Sequence, residues 1–325
     1  MSRSSRALAL LAVPALLVAG CSSGGADAGA GGTEDGRVAV LASFYPLQFV
    51  AAEVGGDRVD VASMTPPSAE PHDLELSPAQ VAELSSADLV VYQSGFQAAV
   101  DEAVEQTQPA HVVDATQAAG LGEDGAHADE APTAAEDDHA HEGEEHAEDE
   151  HEHGALDPHF WLDPTLMPDV ADAVADALTE VDPDGADTYR ANADALGERF
   201  AALDEAYRTG LATCERDVIV TSHEAFGYLA QRYDLEQVGI SGVDPEAEPS
   251  PARLREVGDL VRESGVTTIF FETLVSPKVA ETLADDLGVG TAVLDPLEGL
   301  TDDAQDYFSV AEQNLEQLRV ALSCA

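Results

Sequence analysis

Short apolar runs alternate with helix-length segments along most of the chain, and this alternation leaves few folds open. Residues 37–42, 58–64, 87–92 and 111–114 read as strands in the first half. Residues 217–221, 235–240, 266–271 and 290–294 repeat the rhythm in the second. The segments between carry helix punctuation. Ser77-Pro78 places an N-capping hydroxyl before a proline at the first helical position, Ser250-Pro251 and Ser276-Pro277 also start helices, and Gly55-Gly56, Gly265 and Gly288 follow the last apolar turns. Strands separated by helices cannot pair as hairpins, so the chain is predicted to form parallel α/β sheets covered by helices. Beyond this rhythm no sequence repeat is found.

One helical stretch differs in length. Between residues 184 and 213, Tyr189, Ala193, Leu196, Phe200, Leu203 and Tyr207 recur every three or four positions and make one apolar stripe. At 1.5 Å per residue it would run roughly 45 Å, long enough to act as a strut between two lobes. The predicted organisation is an N-terminal α/β lobe over 37–183, a linking helix over 184–213 and a C-terminal α/β lobe over 214–325. About 290 residues remain after the leader and tether described next, which suits two lobes of ordinary size.

The chain opens with Arg3 and Arg6, then an apolar run over 7–19, then Val18-Ala19-Gly20-Cys21. The last four residues resemble the lipobox of bacterial lipoproteins. That resemblance implies a signal peptide over 1–20, lipid on the Cys21 thiol and export. Residues 21–36, rich in Gly, Ser and Ala, read as a flexible tether. No other apolar run is long enough to span a bilayer. A formal charge of −50 argues against nucleic acid and anionic lipid as partners and favours cations. Besides Cys21 there are only Cys214 and Cys324. In an exported protein they are candidates for a disulfide; the alternative is two unpaired buried thiols. Two cysteines are too few for a thiolate zinc cage.

Six of the ten histidines, His127, His139, His141, His146, His151 and His153, lie between Glu123 and His153 among Asp and Glu, with no Lys or Arg. Acids alone would read as a solvated linker. Imidazole with carboxylate at this density suits divalent transition metals, zinc above all. The run, part of a loop over 122–154, stops at Asp157-Pro158-His159-Phe160-Trp161-Leu162-Asp163-Pro164, which holds the only Trp. His72, His159, His223 and Asp295 each sit in a segment after a predicted strand, the region where open α/β sheets bind ligands. Each alone reads as a polar or capping residue, and Asp295 also as the start of a turn with Pro296. If the lobes face each other, however, the four converge in the cleft. Three imidazoles and one carboxylate complete a tetrahedral zinc shell. His111 begins a strand and is set aside.

Pro71-His72-Asp73, the His/acid run, Asp157-Pro158-His159-Phe160-Trp161-Leu162, Ser222-His223-Glu224-Ala225-Phe226-Gly227-Tyr228 and Leu294-Asp295-Pro296 together resemble the zinc-binding receptors of bacterial ABC importers, the ZnuA type. The resemblance covers nearly the whole mature chain. It implies two Rossmann-like α/β lobes joined by a rigid helix, with Zn2+ as cargo between them. It also implies a monomeric, lipid-anchored receptor at the outer face of the cell membrane that delivers to an ABC permease and its ATPase. By motif, His72, His159 and His223 are ligands and Asp295 matches the carboxylate position, with Glu70 or water as alternatives; the loop histidines are auxiliary sites. Three other readings compete. One is a manganese receptor of the same fold, and another is a surface zinc buffer that uses only the loop. The third is a metallohydrolase, against which the chain has no H-E-x-x-H, since His223-Glu224 lacks a second His four residues on.

Overall fold

Helix caps and buried strands settle where each element starts and stops. The structure, a computed structural model, describes residues 36–121 and 157–325. The leader, Cys21, nearly all of the tether, and His127, His139, His141, His146, His151 and His153 lie outside the described residues. β1 (Val38–Ala42), β2 (Val59–Ser63), β3 (Leu89–Tyr92) and β4 (Val112–Asp114) form a parallel sheet in the order β2-β1-β3-β4. Val38 lies opposite Val59, and Val40 opposite Leu89. α1 (Tyr45–Gly55), α2 (Pro78–Ser86), α3 (Ala98–Thr107), α4 (Ala115–Ala118) and α5 (Met167–Val181) surround it.

α6 (Ala186–Gly210) follows, 25 residues or about 37 Å long. It buries Tyr189, Ala193, Leu196, Phe200, Leu203 and Tyr207, the stripe read from the sequence. β5 (Val218–Thr221), α7 (Gly227–Arg232), β6 (Glu236–Gly239), α8 (Pro251–Ser264), β7 (Thr268–Phe271), α9 (Lys278–Leu287), β8 (Gly290–Val293) and α10 (Tyr307–Leu322) complete the chain. The second sheet is also parallel and repeats the first topology, β6-β5-β7-β8. In both sheets the strand order reverses beside the first strand, which opens a crevice at the carboxyl ends.

Most of the local reasons are those the sequence suggested. The start of α9 is the exception: the helix begins at Lys278, with Pro277 in the capping position and no side-chain cap. Ser77 accepts from the Gln80 N–H in a capping box, Ser250 accepts from the Arg253 N–H, and Gly265 and Gly288 end α8 and α9 in the left-handed conformation. β5 is buried throughout, as a parallel strand covered on both faces should be. Residues 160–162 form a 3-10 turn, and α5 starts further on, at Met167. α6 is shorter than the predicted stretch over 184–213, because Pro183–Gly185 forms another such turn before it and the helix ends at Gly210.

A continuous apolar core runs from β1, α1 and α5 through α6 to Phe226, Phe270, Leu294 and α10. Tyr207 donates to the Ala311 carbonyl of α10 at 2.6 Å, and Asn192 donates to the Val54 carbonyl of α1 at 2.9 Å, so α6 is bonded to both halves. Cys214 and Cys324 form a disulfide that joins the segment after α6 to the chain end. No helix among the described residues is long and apolar enough to cross a membrane.

Candidate metal centre

The carboxyl ends of the two sheets deliver side chains to one point. His72 comes from the proline-rich loop after β2. The Glu70 carboxylate turns back on this loop and accepts from the backbone N–H groups of His72 and Asp73 at 3.1 and 3.3 Å. His159 enters after Asp157-Pro158, where Asp157 Oδ1 accepts from the His159 backbone N–H at 3.0 Å and stands 2.7 Å from its Nδ1. His223 follows β5, with its Nδ1 2.7 Å from Glu272 Oε1 on the segment after β7. The ring N–H there does not line up on that oxygen, so the pair is an ion contact rather than a hydrogen bond. A carboxylate on Nδ1 leaves Nε2 facing the centre, the tautomer a metal needs.

The fourth group is Glu298. Its Oε1 lies 3.1 Å from His159 Nε2, 3.4 Å from His72 Nε2 and 3.7 Å from His223 Nε2. The Nε2 atoms of His72 and His159 are 3.2 Å apart, and those of His159 and His223 3.3 Å. The four donor atoms all lie within 4.8 Å of one another. His159, His223 and Glu298 are buried, while the His72 side chain keeps 13% of its surface exposed.

Asp295, expected as the carboxylate, stands apart from this group, and Glu298 holds the place instead. The reason lies in the turn after β8. Asp295 Oδ1 accepts from the Leu297 N–H and Oδ2 from the Thr273 hydroxyl, both at 2.8 Å, while its backbone is gripped by Asn314. Asp295 thus caps the turn that begins at Pro296. Leu297 then adopts φ +61°, which carries Glu298 into the cleft. The sequence held only a faint signal for Glu298: a lone acid between Leu297 and Gly299, not separable from the more prominent Asp-Pro. Glu70 lies 3.9 Å from His72 Nε2, but its oxygens are committed to the backbone. His111 sits elsewhere, 3.7 Å from Glu180.

Charge and burial oppose each other here. Burial alone would depress the His159 pKa, but its bonds to Asp157 and Glu298 more than offset this and raise it. The same contest, with Glu272 and Glu298 as partners, pushes His223 up to about 10. Burial would raise the Glu298 carboxyl, yet the three histidines hold it well below the usual carboxylate range. The His159 and His223 imidazoles therefore favour holding their protons beside the ionised Glu298 carboxylate. A divalent cation would displace those protons and meet three nitrogens and one oxygen, a donor set suited to four-coordinate zinc.

The family model "Zinc-uptake complex component A periplasmic" (ZnuA) matches residues 40–321. The high-affinity zinc uptake system protein ZnuA of Bacillus subtilis (strain 168) is 35% identical over 320 residues, covering 97% of each chain. The zinc-binding lipoprotein AdcA of Streptococcus pneumoniae serotype 4 is 34% identical over 289 residues; the match covers 88% of this chain but only 56% of that longer protein. The crystal structure of the Zn(II)-bound ZnuA-like domain of S. pneumoniae AdcA superposes with a TM-score of 0.70 at 32% identity, covering 88% of this chain and 99% of that one. With a family match across nearly the whole described chain and a full-length relative above 30% identity, this chain belongs to the ZnuA family of zinc-uptake components.

Proposed function

We propose that this chain is an extracytoplasmic receptor that captures zinc and delivers it to an ABC permease, with His72, His159, His223 and Glu298 as the ligands. The observation that carries the reading is the meeting of three imidazoles and one carboxylate, donor atoms within 4.8 Å, at the carboxyl ends of two facing parallel sheets. Three nitrogens to one oxygen favour zinc over manganese, which prefers oxygen-rich shells. Zinc is cargo here, and the chain acts as a receptor, not an enzyme. The proposed anchor is lipid on Cys21, with residues 21–36 as tether and a monomer at the outer face of the cell membrane; the permease's ATPase drives uptake. The lobes are taken as residues 37–183 and 214–325 on either side of the linking helix over 184–213. The loop histidines serve as auxiliary metal sites apart from these four ligands.

Competition titration of the purified mature protein tests this, with zinc and manganese both present. One tight zinc per chain is expected, plus weaker sites that vanish when residues 123–153 are deleted. A preference for manganese, or loss of the tight site with that deletion, overturns the assignment.

A further inference from the structure

Two buried glutamines stand behind the histidines of the first lobe. Gln93 follows β3 and Gln97 precedes α3; they are 4% and 1% exposed. Gln93 Nε2 donates to the Pro158 carbonyl at 2.6 Å, and Gln97 Nε2 donates to the Pro71 carbonyl at 3.1 Å. Pro158 directly precedes His159, and Pro71 directly precedes His72. Each glutamine thus grips the peptide plane that leads into a metal-facing histidine. Proline fixes its own φ near −65°, so holding its carbonyl also fixes ψ and sets the direction in which the next residue leaves.

A carbonyl only accepts, so each amide must turn its NH2 toward it. Both Oε1 atoms are consequently buried without a hydrogen-bond partner among the described residues. An unmet buried acceptor costs stability, and an apolar side chain would avoid that cost. Packing alone therefore does not account for glutamine at either position. The rest of the loop is fixed as well. Gln97 Nε2 also donates to Thr65 Oγ1 at 2.9 Å, and that hydroxyl donates to the Ser43 carbonyl after β1 at 2.7 Å. Asp114 accepts from the Ser94 N–H and Asp101 from the Gly95 N–H, at 3.1 and 3.0 Å. Gly95 sits at φ +81°, a conformation that favours glycine. Phe96 meets the His72 ring edge-on, with centroids 4.8 Å apart.

We propose that residues 93–97 form a specificity-determining platform, in which Gln93 and Gln97 fix the placement of His159 and His72 and so hold their Nε2 atoms at a spacing suited to a small four-coordinate ion. The proposal rests on the zinc-receptor reading above. Metal–nitrogen bonds of about 2.0–2.1 Å to a tetrahedral ion imply a nitrogen–nitrogen edge of about 3.3–3.4 Å. The His72–His159 separation of 3.2 Å already lies close to that edge, and His159 stands 3.3 Å from the third imidazole, His223. Six ligands at right angles subtend an edge of about 1.4 bond lengths instead of about 1.6. An ion that takes six ligands therefore draws two neighbouring imidazoles closer together for a given bond length, and the platform resists that approach.

Gln93→Met and Gln97→Met keep side-chain length and remove the donor. Asn192→Leu is the control: it removes an amide that also grips a carbonyl, that of Val54, away from the histidines. In competition titrations of the full mature chain, with a chelator keeping weaker sites empty, each Gln variant should lose about 10–100-fold in zinc affinity and less than about 3-fold in manganese affinity. The visible spectrum of the cobalt-loaded protein should shift with them, and the control should leave both readouts at wild-type values. Gln variants that melt lower but keep the zinc/manganese ratio and the cobalt spectrum overturn the platform. If a Met variant does not fold, Thr65→Val, which removes the hydroxyl that Gln97 holds, takes its place: the same shift in ratio and spectrum is expected, and an unchanged ratio and spectrum overturn the platform. A wild-type chain with no tight zinc site would instead sink the receptor reading, and the two failures are told apart by that first measurement.

Discussion

Glu298 and Asp295 are three residues apart, and their surroundings give them opposite tasks. Glu298 is ringed by three imidazoles, whereas both Asp295 oxygens are occupied by Leu297 and Thr273. Glu298→Gln should therefore lower zinc affinity by more than the roughly 10–100-fold that follows from disturbing a residue behind a ligand, while Asp295→Asn should stay below that range. Equal losses in a competition titration would return Asp295 to the shell. The protons on the centre give a second test. His223 rises from its ordinary 6.5 to about 10 in the folded, metal-free protein, so its ion contact stabilises that form fully below pH 6.5 and is lost as pH climbs through about 10. Zinc must displace the same proton, so zinc affinity should move the other way and rise with pH. Melting curves of the metal-free protein, compared with His223→Gln, should show the stabilising contribution fading between pH 6.5 and 10. Titrations in buffers of different ionisation enthalpy should show proton release on binding. No proton release at pH 7 would mean that the imidazoles are already neutral before zinc arrives.

At the scale of elements, the disulfide and the metal centre lie beyond opposite ends of β5. Cys214 precedes the start of β5, while His223 follows its end. The bond closes a separation of 110 residues, for which chain-entropy reasoning gives up to about 5 kcal/mol. Cys214→Ser with Cys324→Ser should lower the denaturation midpoint by a fraction of that and leave zinc affinity unchanged. An affinity loss would mean that the staple reaches the centre through β5. The elements themselves were largely legible. Ser77-Pro78 and Ser250-Pro251 announced α2 and α8 because a hydroxyl cap and a fixed φ act within one turn, and the six-residue stripe announced α6. α3 was not read, since only Val100 and Ala103 are buried there and its helix depends on packing rather than on its own pattern. His72 and His223 were legible because each follows a strand within a motif, and His159 because it stands in the Asp157-Pro158-His159 motif that ends the His/acid run. Glu298 was not, because a left-handed Leu297 aims it, and no local residue type advertises that turn. Gln93 and Gln97 were invisible for a related reason: their partners are carbonyls 65 and 26 residues away.

Across the whole molecule, the two sheets are joined by aromatic packing rather than by a loose hinge. Phe49 of α1 stacks on Tyr307 of α10 at 5.5 Å, and Phe200 of α6 meets Tyr307 and Phe308 at 5.4 and 5.1 Å. Trp161 Nε1 donates to the Pro296 carbonyl at 2.7 Å, which bonds the His159 segment to the turn that aims Glu298. Arg199 lies over Phe308, 4.0 Å from its ring centroid, and bonds Glu53 on one side and Asp306 on the other. A rigid rotation of one half against the other would have to break this knot, and packed cores do not deform continuously. Loading and release should therefore act through the loops at the sheet ends, above all the one carrying His72, the cluster histidine that water still reaches. Small-angle scattering with and without zinc should show a radius of gyration, about 20 Å for a compact chain of this length, that changes by less than about 1 Å. Hydrogen exchange should slow on zinc binding in residues 65–73 and 296–300 and stay unchanged in α6. Phe308→Ala removes the ring shared by α1, α6 and Arg199, so it should loosen the halves and enlarge the scattering difference. A large closure in the wild-type protein, or protection that spreads along α6, would show that the knot yields and that the halves move as separate bodies.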